Sequence, residues 1–369
     1  MAKINYYSYP LRTGYGVAAK NYIKTLEKVN GIQINHYICR YGDREILLQS
    51  KTFDDQASTH FIHMVPTEGQ LFISKSAKNI ISTVYEADKL TSYFAKSLEK
   101  YDEITVPCQW NVDTFKNYTN KPVHLLPHLP EFFGKTPTSP MPKLLETIDD
   151  DTFVFLNISE WVIRKNIENT ILAFCKAFDK KEKVLFIFKT GTRDISKRSI
   201  TNLFVDYNFF KKTEKSLQEI LDKHNISGNI LFINQTLSEE DMMHLYHRAD
   251  CYFTMTNAEG WGMGSFESAF YAKPVIATNY GGHLDYLNDQ NAYLISCKLI
   301  DFKLNPWDNK WYYKGFKTGD PDLSHAIELL RFVYENKAAA SIKGKLLKEF
   351  VVENFSNQRV SNILKKIID

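Results

Sequence analysis

NAEGWGMGSFESAFYAKPVIATNYGG, residues 257–282, decides the fold. Ahead of it, Asp250 to Met255 (DCYFTM) is a short, mostly apolar run of the kind that forms a buried strand. Gly260, Gly262 and Gly264 follow at alternate positions, where the backbone can turn tightly with no side chains in the way. From Ser265 the spacing predicts a helix, with Phe266, Ala269 and Phe270 on one face. Pro274 ends it, Val275 to Thr278 reads as the next strand, and Gly281-Gly282 turns the chain again. The order is strand, glycine-rich loop, helix, strand.

This order has a chemical consequence. Free backbone amides at a helix N-terminus form a ready site for phosphate. Two carboxylates bracket the loop, Glu259 before the glycines and Glu267 in the first helical turn. Phosphate needs neither, but carboxylates accept hydrogen bonds from pairs of hydroxyls. A ligand with phosphate in the middle and polyols on both sides fits, and a nucleotide sugar has that form.

Glu259-Gly260-Trp261-Gly262-Met263 with Glu267, then Pro274 to Thr278 and Gly281-Gly282, resembles the E-x7-E signature of glycosyltransferase family 4. The resemblance implies an α/β fold of GT-B type, two Rossmann-like domains with parallel sheets facing a central cleft. It implies that Glu259 contacts the transferred sugar and Glu267 the ribose hydroxyls, with the amides near Gly262, Met263 and Gly264 on the diphosphate. The reaction implied is metal-independent transfer of a hexose, with retention, from a nucleoside diphosphate sugar to an acceptor hydroxyl. No cofactor beyond that donor is expected.

Length and composition agree with a two-domain enzyme. At 369 residues, 44% hydrophobic and 14% aromatic, the chain suits two α/β domains and is too apolar for disorder. A formal net charge of +3 gives no case for a dedicated nucleic-acid binder. The five cysteines (39, 108, 175, 251 and 297) form no C-x-x-C pair, which argues against a disulfide framework or zinc knuckle and for a reducing cytoplasm. The N-terminus lacks a signal-peptide profile, and no apolar run is long enough to span a bilayer. A peripheral membrane contact stays open.

The first half, residues 1–140, reads as a Rossmann-like domain on the acceptor side. Residues 3–9 alternate as a strand, Pro10 to Gly16 (PLRTGYG) form a loop, and Val17 to Val29 reads as a helix. The loop loosely matches a dinucleotide fingerprint. However, the second strand ends in Cys39-Arg40 where that motif needs an acid, which argues against a nicotinamide enzyme. By resemblance, Gly14 and Gly16 instead let the backbone approach the donor. His60 and His63 fall on opposite faces of a strand, as partly buried histidines do. The strand Ile80 to Tyr85 ends at Glu86, and a carboxylate at the C-terminal edge of an open α/β sheet points into the ligand crevice. Glu86 is therefore a candidate acceptor-binding or general-base residue; a helix-start acid is the alternative.

Residues 134–151, rich in Pro and Thr and closing on three Asp, read as a linker. The second half, 150–345, is the expected donor domain. It opens strand, loop, helix, strand, with Arg164 and Lys165 beside the free helix N-terminus, a cluster able to neutralise a diphosphate. Aligning Lys165 with the family lysine puts Glu160 where the family has an arginine, so Arg164 is the candidate substitute. Asp206 to Ser227 reads as a lysine-rich amphipathic helix, and His244 and His247 as surface histidines. Lys303 to Gly319, with Trp307, Trp311, Tyr312 and Tyr313, reads as an irregular aromatic loop, followed by a helix from Leu323 to Asn336. A last helical region, Lys343 to Ile368, includes the segment 346–369 that by resemblance crosses back to the first domain. Glycosyl transfer, with a nucleotide sugar as partner and a UDP- or GDP-sugar as first choice, is the primary reading. A non-catalytic nucleotide-sugar-binding module, or a phosphorylase or epimerase on the same fold, is the alternative. The acceptor could be a glycan, lipid-linked glycan, protein, DNA or small molecule.

Overall fold

The computed structural model describes residues 2–11, 13–39, 56–198, 210–302, 312–313 and 315–368. The expected strand end at Arg40, the start of the 206–227 helix and most of the 303–319 loop, with Trp307 and Trp311, lie outside the described residues. The chain divides into two compact units, one of Met1–Glu131, Asp308–Phe316 and Val352–Asp369, the other of Phe132–Trp307 and Lys317–Val351.

The first unit contains β1 (Ala2–Ser8), α1 (Gly14–Leu26), β2 (Ile32–Ile38), β3 (Thr59–His63), α2 (Pro66–Gly69), β4 (Lys78–Ser82), α3 (Ser92–Leu98), β5 (Glu103–Val106), α4 (Gln109–Lys116) and β6 (Val123–Leu125). Its six strands pair in parallel in the order β2-β1-β3-β4-β5-β6. This is a doubly wound order whose reversal falls between β1 and β3. Helix α1 begins three residues before the expected Val17, because the Thr13 hydroxyl accepts the Gly16 amide at 3.0 Å and caps it.

The second unit starts with α5 (Lys143–Glu146), a single turn inside the expected linker, then β7 (Phe153–Ile158), α6 (Ile167–Ala177), β8 (Val184–Lys189) and a hairpin of β9 (Arg193–Arg198) with β10 (Phe210–Lys212). It continues with α7 (Thr213–His224), β11 (Ile230–Ile233), α8 (Glu239–Arg248), β12 (Cys251–Phe253), α9 (Met263–Phe270), β13 (Val275–Thr278), β14 (Tyr293–Ile295), β15 (Cys297–Asp301), β16 (Lys317–Pro321) and α10 (Leu323–Glu335). The six parallel strands run β11-β8-β7-β12-β13-β14, a second doubly wound sheet, which reverses between β7 and β12. Its strands are buried on both faces, so they read as near-continuous apolar runs such as FVFLNI in β7. Phe155, Phe174, Phe186 and Phe253 meet in the core, with Phe174 stacked on Phe186 at 5.0 Å. Each such ring contributes about 1.5–3 kcal/mol by leaving water.

The sequence-based expectation fails in three places. The aromatic excursion after residue 301 is framed by an antiparallel pair, β15 with β16, because Lys298–Leu299 and Thr318–Gly319 find backbone partners across it. The C-terminal helical region is two helices, α11 (Lys337–Asn354) and α12 (Asn357–Ile368), separated at Phe355–Ser356. His244 is buried rather than at the surface: its Nε2 lies 3.0 Å from the Ser139 carbonyl, beside Glu240, which holds the Thr138 amide at 2.8 Å.

Candidate nucleotide-sugar site

In an open parallel sheet, ligands bind beyond the C-terminal ends of the strands where the strand order reverses. In the second unit those ends are the loop after β7, residues 159–166, and the loop after β12, residues 254–262. They are the two stretches that hold Arg164, Lys165 and Glu259.

The first loop is fixed by Trp161, buried against Phe188 and Phe232, and by Asn166, which adopts a left-handed conformation at φ 51°. Asparagine tolerates that region better than most residues. The Asn166 side chain donates to the Met255 carbonyl at 3.0 Å, and its own carbonyl accepts the Thr170 amide, opening α6. The Arg164 carbonyl takes the Asn257 amide at 2.7 Å and the Thr256 hydroxyl at 3.1 Å. Backbone bonds thus hold the two loops together before any charge is considered.

Between them sits Glu259, 8% exposed. Its Oε1 pairs with the Lys165 ammonium, and its Oε2 lies 3.5 Å from Arg164 Nη1, which also donates to the Ala258 carbonyl at 3.2 Å. Burial by itself raises the Glu259 carboxyl, but Lys165 and then Arg164 outweigh it and hold the group below its ordinary value. His283 nearby is pushed down by burial, against the effect of its 2.6 Å contact with the Thr278 carbonyl. The Glu259 backbone is pinned too, because its carbonyl accepts the Gly282 amide at 2.7 Å. A Cβ on Gly281, whose φ is 112°, would stand 2.8 Å from that same oxygen. The paired glycines that end the signature therefore position the carboxylate that begins it.

Helix α9 starts at Met263, two residues before the expected Ser265, because Gly262 adopts φ 82° and serves as the N-cap. No side chain caps this start, and the first-turn amides, at Met263 and Gly264, have no intrahelical acceptor. The Tyr286 hydroxyl lies 2.9 Å from the carbonyls of both Trp261 and Gly262 and 2.7 Å from Ser265 Oγ, fixing the turn. Gly264 is dictated by packing: a Cβ there would stand 2.2 Å from Tyr252 Oη. Glu267, one turn into the helix, is buried and accepts the Phe132 amide at 2.9 Å. Among the candidates of this unit, the structure thus brings Glu259, Lys165 and Arg164 into direct contact. It places Gly262, Met263 and Gly264 at the adjoining helix start. Glu160 is exposed, and it is Arg164 that lies beside Glu259.

The remaining candidates belong to the first unit. Gly14 opens α1 with open space where a side chain would be, whereas a Cβ on Gly16 would stand 2.1 Å from the Pro10 carbonyl, so that glycine serves a close approach within the chain itself. Glu86 is half-buried beyond β4 and accepts the Tyr312 hydroxyl at 2.8 Å. Sequence reading missed Asn166, Tyr286 and His283. Only Asn166 left a signal, an Asn just before a helical pattern.

Residues 146–301 match the family described as glycosyl transferases group 1. A 159-residue stretch is 28% identical to the alpha-1,3/1,6-mannosyltransferase ALG2 of Dictyostelium discoideum, covering 42% of this chain; the chain spans only 36% of that relative's length. Among solved structures, Anabaena HepE in complex with UDP and glucose aligns with a TM-score of 0.68 at 12% identity over 100% of this chain and 99% of its own. Sucrose-phosphate synthase from Thermosynechococcus elongatus aligns at 0.71 and 11% identity over 100% and 98%. The fold is that of these structures, GT-B, and residues 146–301 carry the similarity to the group 1 glycosyl transferases.

Proposed function

We propose that the protein is a retaining, metal-independent glycosyltransferase that moves a hexose from a nucleoside diphosphate sugar to an acceptor hydroxyl, in the synthesis of a glycan or glycoconjugate. One observation carries the reading: a buried carboxylate, Glu259, held between Lys165 and Arg164 at the strand-order reversal, next to the uncapped start of α9. Two cations against one carboxylate leave a positive excess. Together with the helix N-terminus, that excess suits the two charges of a diphosphate.

The roles follow from the chemistry. Lys165 and Arg164 neutralise the diphosphate and stabilise it as the leaving group, the work a metal does in other transferases. The Met263 and Gly264 amides hold its oxygens. Glu259 accepts hydroxyls of the transferred sugar and keeps Lys165 in place when the site is empty. Glu267 takes the ribose hydroxyls, sharing its carboxylate with the Phe132 amide. By the same reading the backbone at Gly14 and Gly16 takes part in donor binding, and Glu86 is the acceptor-binding or general-base residue. The known structure with UDP and glucose and the mannosyltransferase relative support a nucleotide-sugar donor, with UDP- or GDP-sugars as first choices.

Among the described residues, no helix is long and apolar enough to cross a membrane, and a cytoplasmic location fits the cysteine pattern. The test is incubation with UDP-, GDP- and ADP-sugars, following release of the nucleoside diphosphate and the anomeric configuration of the product by NMR. Release that requires an acceptor and survives EDTA, with retained configuration, is expected. Tight nucleotide-sugar binding with no release under any acceptor supports the non-catalytic module instead.

A further inference from the structure

In the first unit, the turn after α2 and the helix after β4 send apolar side chains both inward and outward. Phe72, in the single 3-10 turn Gln70–Phe72, is buried and stacks on Tyr7 with centroids 4.6 Å apart, while its carbonyl lies 2.7 Å from His60 Nδ1. With Phe72 anchored, its neighbour Leu71 stands outward at 71% exposure, the highest of any large apolar side chain among the described residues. Helix α3 repeats the arrangement. Phe94 and Leu98 face the core, and the Thr91 hydroxyl accepts the Phe94 amide at 3.1 Å to cap the helix. The helical period then puts Tyr93, 48% exposed, and Lys96 on the outer face, with Lys100 just past the helix end. Lys100 donates to Gln70 Oε1, and the Tyr101 hydroxyl to the Pro66 carbonyl at 2.6 Å, so turn and helix form one surface.

Lys96 also borders an open groove of about 430 Å³, whose lining includes Leu90, Ala95, Tyr118 and the exposed Tyr313. The charge around it is positive. Lys89, Lys96 and Lys100 are all exposed; the first two have no ion-pair or hydrogen-bond partner among the described residues, and Gln70 leaves the charge of Lys100 uncompensated. Glu99, exposed beside them, takes the Thr119 hydroxyl, and Asp88 is half-buried. Residues 66–101 contain no arginine.

We propose that this face docks on an anionic bilayer: Leu71, Tyr93 and Tyr313 enter the headgroup region, the apolar groove admits the upper part of an acyl chain, and Lys89, Lys96 and Lys100 meet lipid phosphates. A protruding leucine gains free energy only by leaving water, and tyrosine, with an apolar ring and a polar tip, suits a layer that is part apolar and part wet. The charge type selects the partner. Lysine is a compact, strongly hydrated point charge, which suits a diffuse negative surface; recognition of phosphate in a fixed geometry favours the arginine fork instead. The inference stands apart from the glycosyl-transfer reading, since no residue of the nucleotide-sugar site enters it.

The test is co-sedimentation of the full chain with vesicles of phosphatidylcholine alone and of an equimolar mixture with phosphatidylglycerol, at low and high salt. Binding to the mixed vesicles is expected to exceed binding to phosphatidylcholine by about ten-fold or more at low salt, and to fall as salt rises. Lys96→Gln and Lys100→Gln each weaken it by about five-fold. The double variant Leu71→Ser/Tyr93→Ser weakens it by about ten-fold at unchanged charge. Lys345→Gln, which removes an exposed lysine of α11, leaves it unaltered. All of these side chains are exposed, so each variant should keep the Tm of the unmodified chain. The proposal is overturned if the chain stays in the supernatant with both kinds of vesicle, as a face reserved for a protein partner would, or if it binds both equally. It is overturned too if Lys345→Gln weakens binding as much as Lys96→Gln does, or if Leu71→Ser/Tyr93→Ser binds like the unmodified chain.

Discussion

Replacing Lys165 by Met removes the closest cation from a carboxylate that cannot reach water easily. The Lys165 and Glu259 side chains are 14% and 10% exposed. Removing one member of a buried pair typically costs about 3–5 kcal/mol, because the other is left as an uncompensated charge. Arg164 remains 3.5 Å from the second oxygen, so the expected loss is nearer ~2–4 kcal/mol at pH 7. The pH dependence gives a sharper test. In the unmodified chain the Glu259 pKa is depressed, so its contribution is present above the ordinary carboxylate value of 4.5 and lost as pH falls below it. Without Lys165, burial becomes dominant and the pKa moves above that value. The folded state then binds the proton more tightly than the unfolded one, and the variant regains stability on acidification from neutral pH towards 5. Urea denaturation of both proteins at pH 7 and pH 5 reads this directly: the gap between them should narrow at pH 5. The double variant Lys165→Met/Glu259→Gln should lose less than Lys165→Met alone. A gap below about 0.5 kcal/mol at pH 7, or one that widens at pH 5, refutes the buried-pair reasoning.

Other outcomes follow from the same geometry. Glu267→Ala should abolish the Tm rise produced by the donor nucleotide and Lys165→Ala should weaken it, checked by thermal shift with UDP-, GDP- and ADP-sugars. Glu259→Gln should bind UDP at least as well as the unmodified chain, because one negative charge is gone, while turnover of the nucleotide sugar falls by roughly 100-fold or more, as loss of a group that orients reacting atoms does. Gly281→Ala should cost about 1–2 kcal/mol, since its left-handed φ penalises any Cβ and that Cβ would press on the Glu259 carbonyl. Denaturation measures the cost, and a neutral result contradicts the role given to that glycine. EDTA should leave turnover unchanged, and its loss on chelation, with recovery on adding Mg2+ or Mn2+, contradicts the assignment of leaving-group stabilisation to Lys165 and Arg164.

Much of the second unit was legible in the sequence because its information is local. Apolar runs bounded by Gly and Pro marked β7, β8, β12 and β13, and the spaced glycines marked the turn into α9. What was not legible depends on partners distant in the chain. Nothing near residue 286 says that the Tyr286 hydroxyl will meet the carbonyls of Trp261 and Gly262, and nothing near residue 244 says that Ser139 will cover that histidine. The start of α1 slipped because a glycine pair looks like loop, whereas the Thr13 cap makes Gly14 the first helical residue. The β15–β16 pair was hidden for a different reason: its strands frame a long aromatic excursion, and their pairing is set by backbone register rather than by side-chain alternation. The close approach of Lys165 and Arg164 to Glu259 was only half visible. Both loops were marked as phosphate-binding, but the carboxylate between the cations appeared only once β7 and β12 lay side by side.

The most direct test is a crystal structure of the protein with UDP. The account predicts the diphosphate within hydrogen-bond reach of Lys165 Nζ, the Arg164 guanidinium and the Met263 and Gly264 amides, with the ribose on Glu267. A nucleotide whose phosphates lie away from the start of α9, with Lys165 and Arg164 still turned to Glu259, would contradict it.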